Sequence, residues 1–405
     1  MPQIKPEVET FARIKVLGVG GSGRNAINHM ISSKVRGVEF IAINTDAQDL
    51  HNSTAKKKIH IGKNLTRGLG TGMNPELGRR AVDEAQEEVR EAIAGADMVF
   101  IACGAGGGTG SGAAPRIAQI SKELGALTVA VITKPFFFEG LQRMRIAEQA
   151  IEELRGVVDA MIVIPNDRLL SIISKETTAK SAFAMCDEVL RQAVEAISDL
   201  ITTPGLINID FADVKAIMEN AGPALMGIGS ASGEKRAEEA AKIAINSPLL
   251  ELSIAGAKGV LFSIAGGDDL TMFEIQDAAK IITESVDPSA KIIFGTIRND
   301  GMKKGEVRIT VIATGFPETS VRKSIFQQEV PVKSTPSAAE RKAEEAEKKG
   351  KIYNTLPPSQ STTSTPVKVE TPSSSEKKPI PPQADDMDDD EWSAVPAFLR
   401  RSKLK

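Results

Sequence analysis

From residue 13 to about 165, short runs of Val, Ile, Leu and Ala alternate with longer stretches in which apolar residues recur every three or four positions. The short runs are RIKVLGVG (13–20), VEFIAINTD (38–46), KKIHIG (57–62), ADMVFIACG (96–104), LTVAVITKPF (127–136) and DAMIVIPN (159–166). Their near-continuous apolar character predicts strands covered on both faces. Stretches of helical periodicity such as PELGRRAVDEAQEEVREAIAG (75–95) lie between them, which predicts an α/β fold with a doubly wound, mostly parallel sheet. Sheets of this kind bind ligands at the carboxyl ends of their strands.

The pattern then changes. Residues 179–202 carry apolar side chains at Val189, Ala193, Ile197, Leu200 and Ile201, the spacing of one long amphipathic helix, and Pro204 and Gly205 stop it. An Ala- and Glu-rich helix follows over 233–245, then a strand GVLFSIAGG (259–267) and a helix through FEIQDAAKIITESV (273–286). Two alternating strands come last, AKIIFGTIRND (290–300) and EVRITVIATGF (306–316), joined by a Gly-containing turn. This half predicts a smaller α+β domain with antiparallel strands, joined to the first by the long helix.

Composition sets the outer boundary. Ten of the 21 prolines fall in residues 1–316 and eleven in the last 89, where Ser, Thr, Lys and Glu also accumulate. Such a segment buries too little apolar surface to offset its chain entropy. The expected organisation is a flexible N-terminus (1–12), an α/β domain (13–178), a connecting helix (179–203), an α+β domain (204–316), a disordered linker (317–390) and a terminal segment (391–405). In the last of these, Trp392, Val395, Phe398 and Leu399 form an apolar stripe between an acidic run and Arg400, Arg401, Lys403 and Lys405. A short amphipathic segment on a disordered tether suits docking into a partner's groove.

Charge and special residues narrow the chemistry. A net charge of −3 gives no global attraction to nucleic acid or to anionic membrane. The N-terminal MPQIKPEVET lacks the basic and apolar stretches of a secretory signal, and no apolar run is long enough to span a bilayer, so a soluble cytoplasmic protein is expected. Cys103 and Cys186 fit buried thiols rather than a disulfide framework, and His29, His51 and His60 show no zinc-ligand spacing; no metal-ligand set is expected from the protein alone.

The candidate chemistry lies in two glycine-rich loops. Gly18, Gly20 and Gly23 have the spacing G-x-G-x-x-G between a strand and a helix, and Asp46 ends the second strand, where a dinucleotide site would place the acid that grips a ribose. An NAD-dependent oxidoreductase satisfies this loop. CGAGGGTGSGAAP (103–115) adds a second loop with six glycines, Thr109 and Ser111 after the fourth strand. Two such loops offer two sets of backbone N–H groups and two helix N-termini, enough for a chain of several phosphates. No Gly-Lys-Ser/Thr occurs, which excludes a P-loop.

GGGTGSGAAP resembles the signature loop of the tubulin/FtsZ superfamily, and residues 13–316 resemble its bacterial FtsZ branch through NTDAQDL, GLGTGMNPELG, TKPFFFEG, IPNDRLL, NIDFADVK and MGIGSASGEKRAEEAAKIAINSPLLE. Ser22 and Arg24 stand in a first loop that is more uniformly glycine in the family, and Thr71 and Met73 stand where it commonly has smaller residues. The resemblance implies a GTPase that uses Mg2+. Gly20, Gly21, Ser22, Gly23, Arg24 and Asn25 would lie along the phosphates, and Gly106, Gly107, Gly108, Thr109 and Gly110 would hold their far end. Asn44 and Asp46 would sit beside the site, Asp46 near the Mg2+ or its waters, and Glu139 and Arg143 would meet ribose and phosphates. Asp187 would read the base, Phe183 cover its face and Asn166 assist at the rim. Guanine presents N1–H and N2–H donors and an ionised carboxylate only accepts, so Asp187 would pair with guanine and repel the N1 acceptor of adenine.

In the same family the loop NIDFADVK belongs to the opposite pole of the subunit and completes the nucleotide site of a neighbour. Asp210 and Asp213 would there polarise the attacking water, braced by Asn208. On residue pattern alone the same acids read as an N-cap and first-turn acids of the next helix. Head-to-tail assembly into filaments of a mid-cell division (Z) ring is implied. VPAFLRR is similar to the family's terminal peptide, which binds membrane-tethering and regulatory division proteins; here it would use Trp392, Val395, Pro396, Phe398, Leu399 and Arg400. Two rivals remain: the NAD-dependent enzyme, and a guanine-nucleotide-binding structural protein without turnover.

Overall fold

The computed structural model describes residues 12–170, 177–203, 205–247, 250, 253–298, 302 and 305–316. All six strands expected in the first half form: β1 (Ile14–Val19), β2 (Val38–Asn44), β3 (Lys57–His60), β4 (Met98–Gly104), β5 (Leu127–Lys134) and β6 (Ala160–Pro165). They pair in parallel in the order β3-β2-β1-β4-β5-β6. The helices between them are α1 (Gly20–Ser32), α2 (Ala47–His51), α3 (Lys63–Thr66), α4 (Pro75–Glu84), α5 (Gln86–Ile93), α6 (Gly108–Glu123) and α7 (Leu141–Arg155), with the short α8 (Asn166–Leu170) after β6. The stretch 75–95, read as one helical segment, is two helices, because Ala85 leaves helical geometry at φ −109° and ψ 23°.

The doubly wound reading rests on which residues each face buries. Ile14 and Val16 of β1, Met98 and Phe100 of β4, and Leu127, Val129 and Val131 of β5 join a core with α1 and with α9 (Ala179–Thr202). Their neighbours Leu17, Val19, Val99, Ile101, Ala130 and Ile132 face the opposite way, onto α4 to α7. Each buried aliphatic side chain contributes about 1.5–3 kcal/mol, so both layers are anchored by the same strands. Close contact between α1 and the sheet depends on glycine: a Cβ at residue 23 would lie 2.4 Å from the Ala102 carbonyl oxygen, and one at residue 18 would lie 2.5 Å from that of Gly23.

The connecting helix α9 covers the 179–202 segment as its periodicity requires. After it come α10 (Phe211–Met218), β7 (Gly222–Ser232), α11 (Arg236–Ile245), β8 (Gly259–Gly266), α12 (Met272–Glu284), β9 (Lys291–Arg298) and β10 (Glu306–Thr314). The last two strands are not partners. β10 lies between β7 and β8, antiparallel to both, and β9 pairs in parallel with β8 at the edge. Helix α12 supplies the crossover that a parallel β8–β9 pair requires. β7, which the pattern did not single out, pairs in parallel with β6 through Ala160–Gly222 to Ile162–Ala224, so the described strands form one ten-stranded sheet. Ala224, Met226, Leu261, Ile297 and Ile312 pack with Leu190, Val194 and Ile197, making α9 a wall common to both halves. The linker and terminal-peptide expectations, Trp392, Val395, Pro396, Phe398, Leu399 and Arg400 included, lie outside the described residues.

Candidate functional site

The carboxyl ends of β1, β4, β5 and β6 open into one cleft of about 580 Å3. Helix α1 starts at Gly20 directly after β1, and α6 starts at Gly108 shortly after β4. The turns that permit this have positive φ, +73° at Gly20 and +95° at Gly106. Neither helix has a side-chain cap. The first N–H groups of a helix have no partner within it, so two uncapped N-termini present donors and partial positive charge to one space. Gly20, Gly21, Ser22 and Asn25 line it from α1, and Gly107, Gly108, Thr109 and Gly110 from α6.

Hydroxyl groups fix the second loop from beneath. Thr109 Oγ1 lies 2.8 Å from Thr45 Oγ1 and 3.3 Å from Thr71 Oγ1, and all three residues are buried. Thr71, Gly72 and Met73 add a third side to the cleft, with Met73 at φ +63°. On the far wall Arg143 Nη1 donates to Glu139 Oε2 at 2.6 Å, and Glu139 Oε1 accepts from the Phe136 N–H at 2.9 Å. Both side chains line the cleft, so the guanidinium is held at its rim.

The other end of the cleft belongs to α9. Phe183, Cys186, Asp187 and Leu190 share one helical face and all line it. Phe183 is 48 % exposed and meets the buried Phe136 edge-on with centroids 5.4 Å apart, leaving its face open. Burial pushes the Asp187 carboxyl up to about 6, opposed by the charges of His29 and Arg24. No described group donates a hydrogen bond to it. Asn166 is buried at the same end, and its Oδ1 has no partner. An unpartnered acceptor out of water costs free energy that a ligand donor would recover. Burial, with Asp187 and Glu139 nearby, pushes the Cys186 thiol up to about 12, which keeps it protonated near neutral pH.

Five expected ligand contacts do not line the cleft. Gly23 serves helix-to-sheet packing, and the Gly106 N–H is taken by Ser111 Oγ at 2.9 Å. Arg24 is ion-paired with Asp49, to which Asn44 Nδ2 also donates at 2.7 Å. Asp46 is the N-cap of α2, accepting from the Asp49 N–H at 2.9 Å. The acid that a dinucleotide site would turn toward a ribose is therefore bonded to its own helix. Conversely, Thr71, Met73, Thr133, Pro135, Cys186 and Leu190 line the cleft without being among the expected contacts. The helical spacing 183, 186, 187, 190 carries a signal for the last two.

Asn208, Asp210 and Asp213 do not line the cleft. The carboxyl-end cleft meets α9 near its start, whereas at the other end of that helix Thr202 packs against Gly37, just before β2, at the amino ends of the strands. Asp187 and Thr202 are separated by fifteen residues, about 22 Å of helix. Asn208 Oδ1 accepts from the Gly205 N–H at 2.7 Å. Asp210 occupies the N-cap position of α10 but makes no cap bond, and Asp213 lies in the first turn. Both are exposed. Among the described residues no cluster of three or more His, Cys, Asp or Glu side chains could hold a metal ion, and no helix is long and apolar enough to cross a membrane.

Residues 13–174 match the GTPase domain of the Tubulin/FtsZ family, and residues 222–317 the C-terminal domain of the FtsZ family. An empty FtsZ dimer from M. jannaschii is 48% identical, with a TM-score of 0.73 over 76% of this chain and 89% of that one. The chain belongs to the tubulin/FtsZ family. A tryptophan-to-tyrosine mutant of M. jannaschii FtsZ matches with the same identity and TM-score over 76% of this chain and 92% of that one. CetZ2 from Haloferax volcanii, solved as a GTPγS-bound protofilament, shares the fold at 21% identity and a TM-score of 0.65, over 84% of this chain and 100% of that chain. Membership in a GTPase family displaces the oxidoreductase reading. It also accounts for the second glycine loop, for which a dinucleotide's single pyrophosphate has no use.

Proposed function

We propose that this chain is a GTP-driven cytoskeletal protein that polymerises head to tail into filaments of the division (Z) ring, and that it hydrolyses GTP where two subunits meet. One observation supports the reading. The cleft lies near the start of α9, whereas the exposed Asp210 and Asp213 follow its far end, which favours acids supplied to the cleft by a second subunit.

In this reading the N-termini of α1 and α6 hold the phosphates through backbone N–H groups, with Arg143 at the rim. A Mg2+ bound with the nucleotide would neutralise phosphate charge and would need only one or two protein carboxylates, since this ion keeps several waters. Asp46, half-buried and capping α2, is the acid that the family resemblance assigns to its waters. Phe183 covers the base, Asp187 accepts from N1–H and N2–H, and the free Asn166 Oδ1 takes a further donor. The neighbour's Asp210 and Asp213, free of cap bonds or ion partners among the described residues, accept a proton from water as it attacks the γ-phosphorus; the β–γ bridging oxygen leaves with GDP. Asn208 fixes the loop through Gly205.

Such a contact is heterologous, and repeated without closure it gives an open filament. Apolar side chains stand exposed at both ends: Phe137, Phe138 and Leu141 follow β5 at the cleft rim, and Leu206 precedes α10. Loss of the γ-phosphate removes contacts at this junction, so GDP filaments disassemble more readily. The terminal segment with Trp392, Val395, Pro396, Phe398, Leu399 and Arg400 docks to membrane-tethering and regulatory division proteins and places the filaments at mid-cell in the cytoplasm. The test is specific GTPase activity against protein concentration. A composite site gives a threshold followed by a rise; activity proportional to enzyme from the lowest concentrations rejects it.

A further inference from the structure

The base-reading side chains sit on α9 and the first phosphate loop opens α1, so these two helices must hold a fixed relative roll for one ligand to engage both. A polar bridge joins them. His29 of α1, more than two turns beyond the phosphate loop, places Nε2 2.9 Å from Glu188 Oε2 on α9, the residue beside Asp187. Glu188 is itself immobilised on α9: it accepts from Arg191 Nε at 2.8 Å, Arg191 Nη2 at 2.6 Å and Gln192 Nε2 at 2.7 Å. Arg191, buried, is also bonded to Glu195. Against the opposing effect of burial, these partners hold the Glu188 carboxyl down to about 2, so it meets His29 as an anion.

We propose that His29 is a positioning residue for base recognition: by locking onto Glu188 it sets the roll of α9 that aims Asp187 and Phe183 into the cleft. The mechanism described above does not use it. Helix geometry makes the effect sensitive, because neighbouring residues on α9 point about 100° apart, and a slight roll carries Asp187 away from the plane of a bound base. When protonated, His29 also opposes the desolvation of Asp187, as Arg24 does, so the same side chain then favours the acceptor in its ionised form.

The inference rests on guanine being the base that Asp187 reads, and the experiment separates the two. Dissociation constants for GTP and for inosine triphosphate, which lacks the 2-amino donor, are measured on the full chain for wild type, His29→Ala, His29→Gln and Glu188→Gln, with melting temperatures alongside. Wild type binds GTP more tightly than the inosine nucleotide. His29→Ala weakens GTP roughly tenfold and the inosine nucleotide by less, because a misaimed carboxylate loses one of its two hydrogen bonds. His29→Gln, whose amide can donate to Glu188, recovers most of the preference, and Glu188→Gln, which attacks the bridge from α9, loses part of it. A His29→Ala protein that is less heat-stable but has an unchanged preference shows a purely structural contact and overturns the proposal. If His29→Ala does not fold, an unchanged preference in Glu188→Gln overturns it instead. A wild-type protein with no preference between the two nucleotides removes the guanine reading itself, and with it this inference.

Discussion

The two ends of the cleft are built by different means. At the end proposed for phosphates the lining is the backbone of two uncapped helix N-termini, α1 and α6, with mostly small side chains. At the end proposed for the base the lining is side chains, Phe183 and Asp187 of α9 with Asn166 of α8. Backbone donors depend on where the chain runs, so the proposed phosphate end should tolerate Ser22 and Arg24 in a glycine loop but not a Cβ where elements touch. Side-chain readers depend on the orientation of one helix, so the proposed base end should be sensitive to a change of functional group. The acidic loop beyond α9 is a third case: Asp210 and Asp213 are exposed, and in the proposed reading they act only against another subunit.

Substitutions separate these cases, and the largest effect is expected from Asp213→Ala. Turnover should fall by about 10²–10⁴, the usual contribution of a positioned base, while GTP affinity stays within about twofold. Mixing it with Asp187→Ala should restore part of the activity, because an intact cleft then meets intact acids at some junctions. Steady-state phosphate release by the two proteins, alone and mixed, checks both statements; no recovery on mixing argues for a site within one subunit.

Asp187→Ala comes next, with GTP binding weakened by about tenfold to a hundredfold, in line with about 1.5–3 kcal/mol for hydrogen bonds to a charged group, and with discrimination against ATP reduced. Titration calorimetry with both nucleotides measures it. Glycine substitutions address the phosphate end. Gly23→Ala drives a methyl group to 2.4 Å from the Ala102 oxygen and should cost about 1–3 kcal/mol of stability, read as a lower denaturation midpoint. Gly107→Ala meets nothing within 4 Å and should leave the midpoint unchanged while weakening nucleotide binding, since its Cβ occupies space at the cleft wall.

The smallest effect is that of pH. Burial raises the Asp187 carboxyl from 3.8 to about 6, so the empty fold holds this proton more tightly than the unfolded chain does. The group's contribution to folding stability is therefore greatest in acid and declines as pH rises through about 6. Nucleotide binding runs the other way, because only the ionised form accepts from N1–H and N2–H. Affinity for GTP should drop by about tenfold from pH 7 to pH 5, and Asp187→Asn should flatten that dependence. A wild-type profile as flat as the variant's would place the titrating group elsewhere.

Much of this fold was legible before any coordinates. In the first half most strands are runs rich in Val, Ile and Ala, β3 with its two lysines and histidine excepted, and a buried parallel strand needs little more than such a run. The second half was read less well. Its last two strands look like a hairpin along the chain, yet β8 takes the place between β9 and β10, because pairing there is decided by which apolar face meets α9 and α12. The site divides similarly. Phe183 and Asp187 come from the family resemblance, their helical spacing showing only that they share a face, and the glycines stand out by their number. Asp46, Gly23 and Gly106 were assigned to the ligand but are bonded or packed within the protein, a distinction that depends on what lies across from them.

The sequence by itself determined local conformation and the burial pattern: where strands run, where helices open on glycine, and which helix face is apolar. These follow from interactions among residues a few positions apart and from the partition of side chains between water and core. Only the tertiary structure decided that Arg24 is neutralised by Asp49, that His29 reaches Glu188, and that the cleft and the acids of residues 208–213 lie at opposite ends of α9. Those pairings join residues distant along the chain, and their distances are set by the packing of whole elements rather than by any local preference.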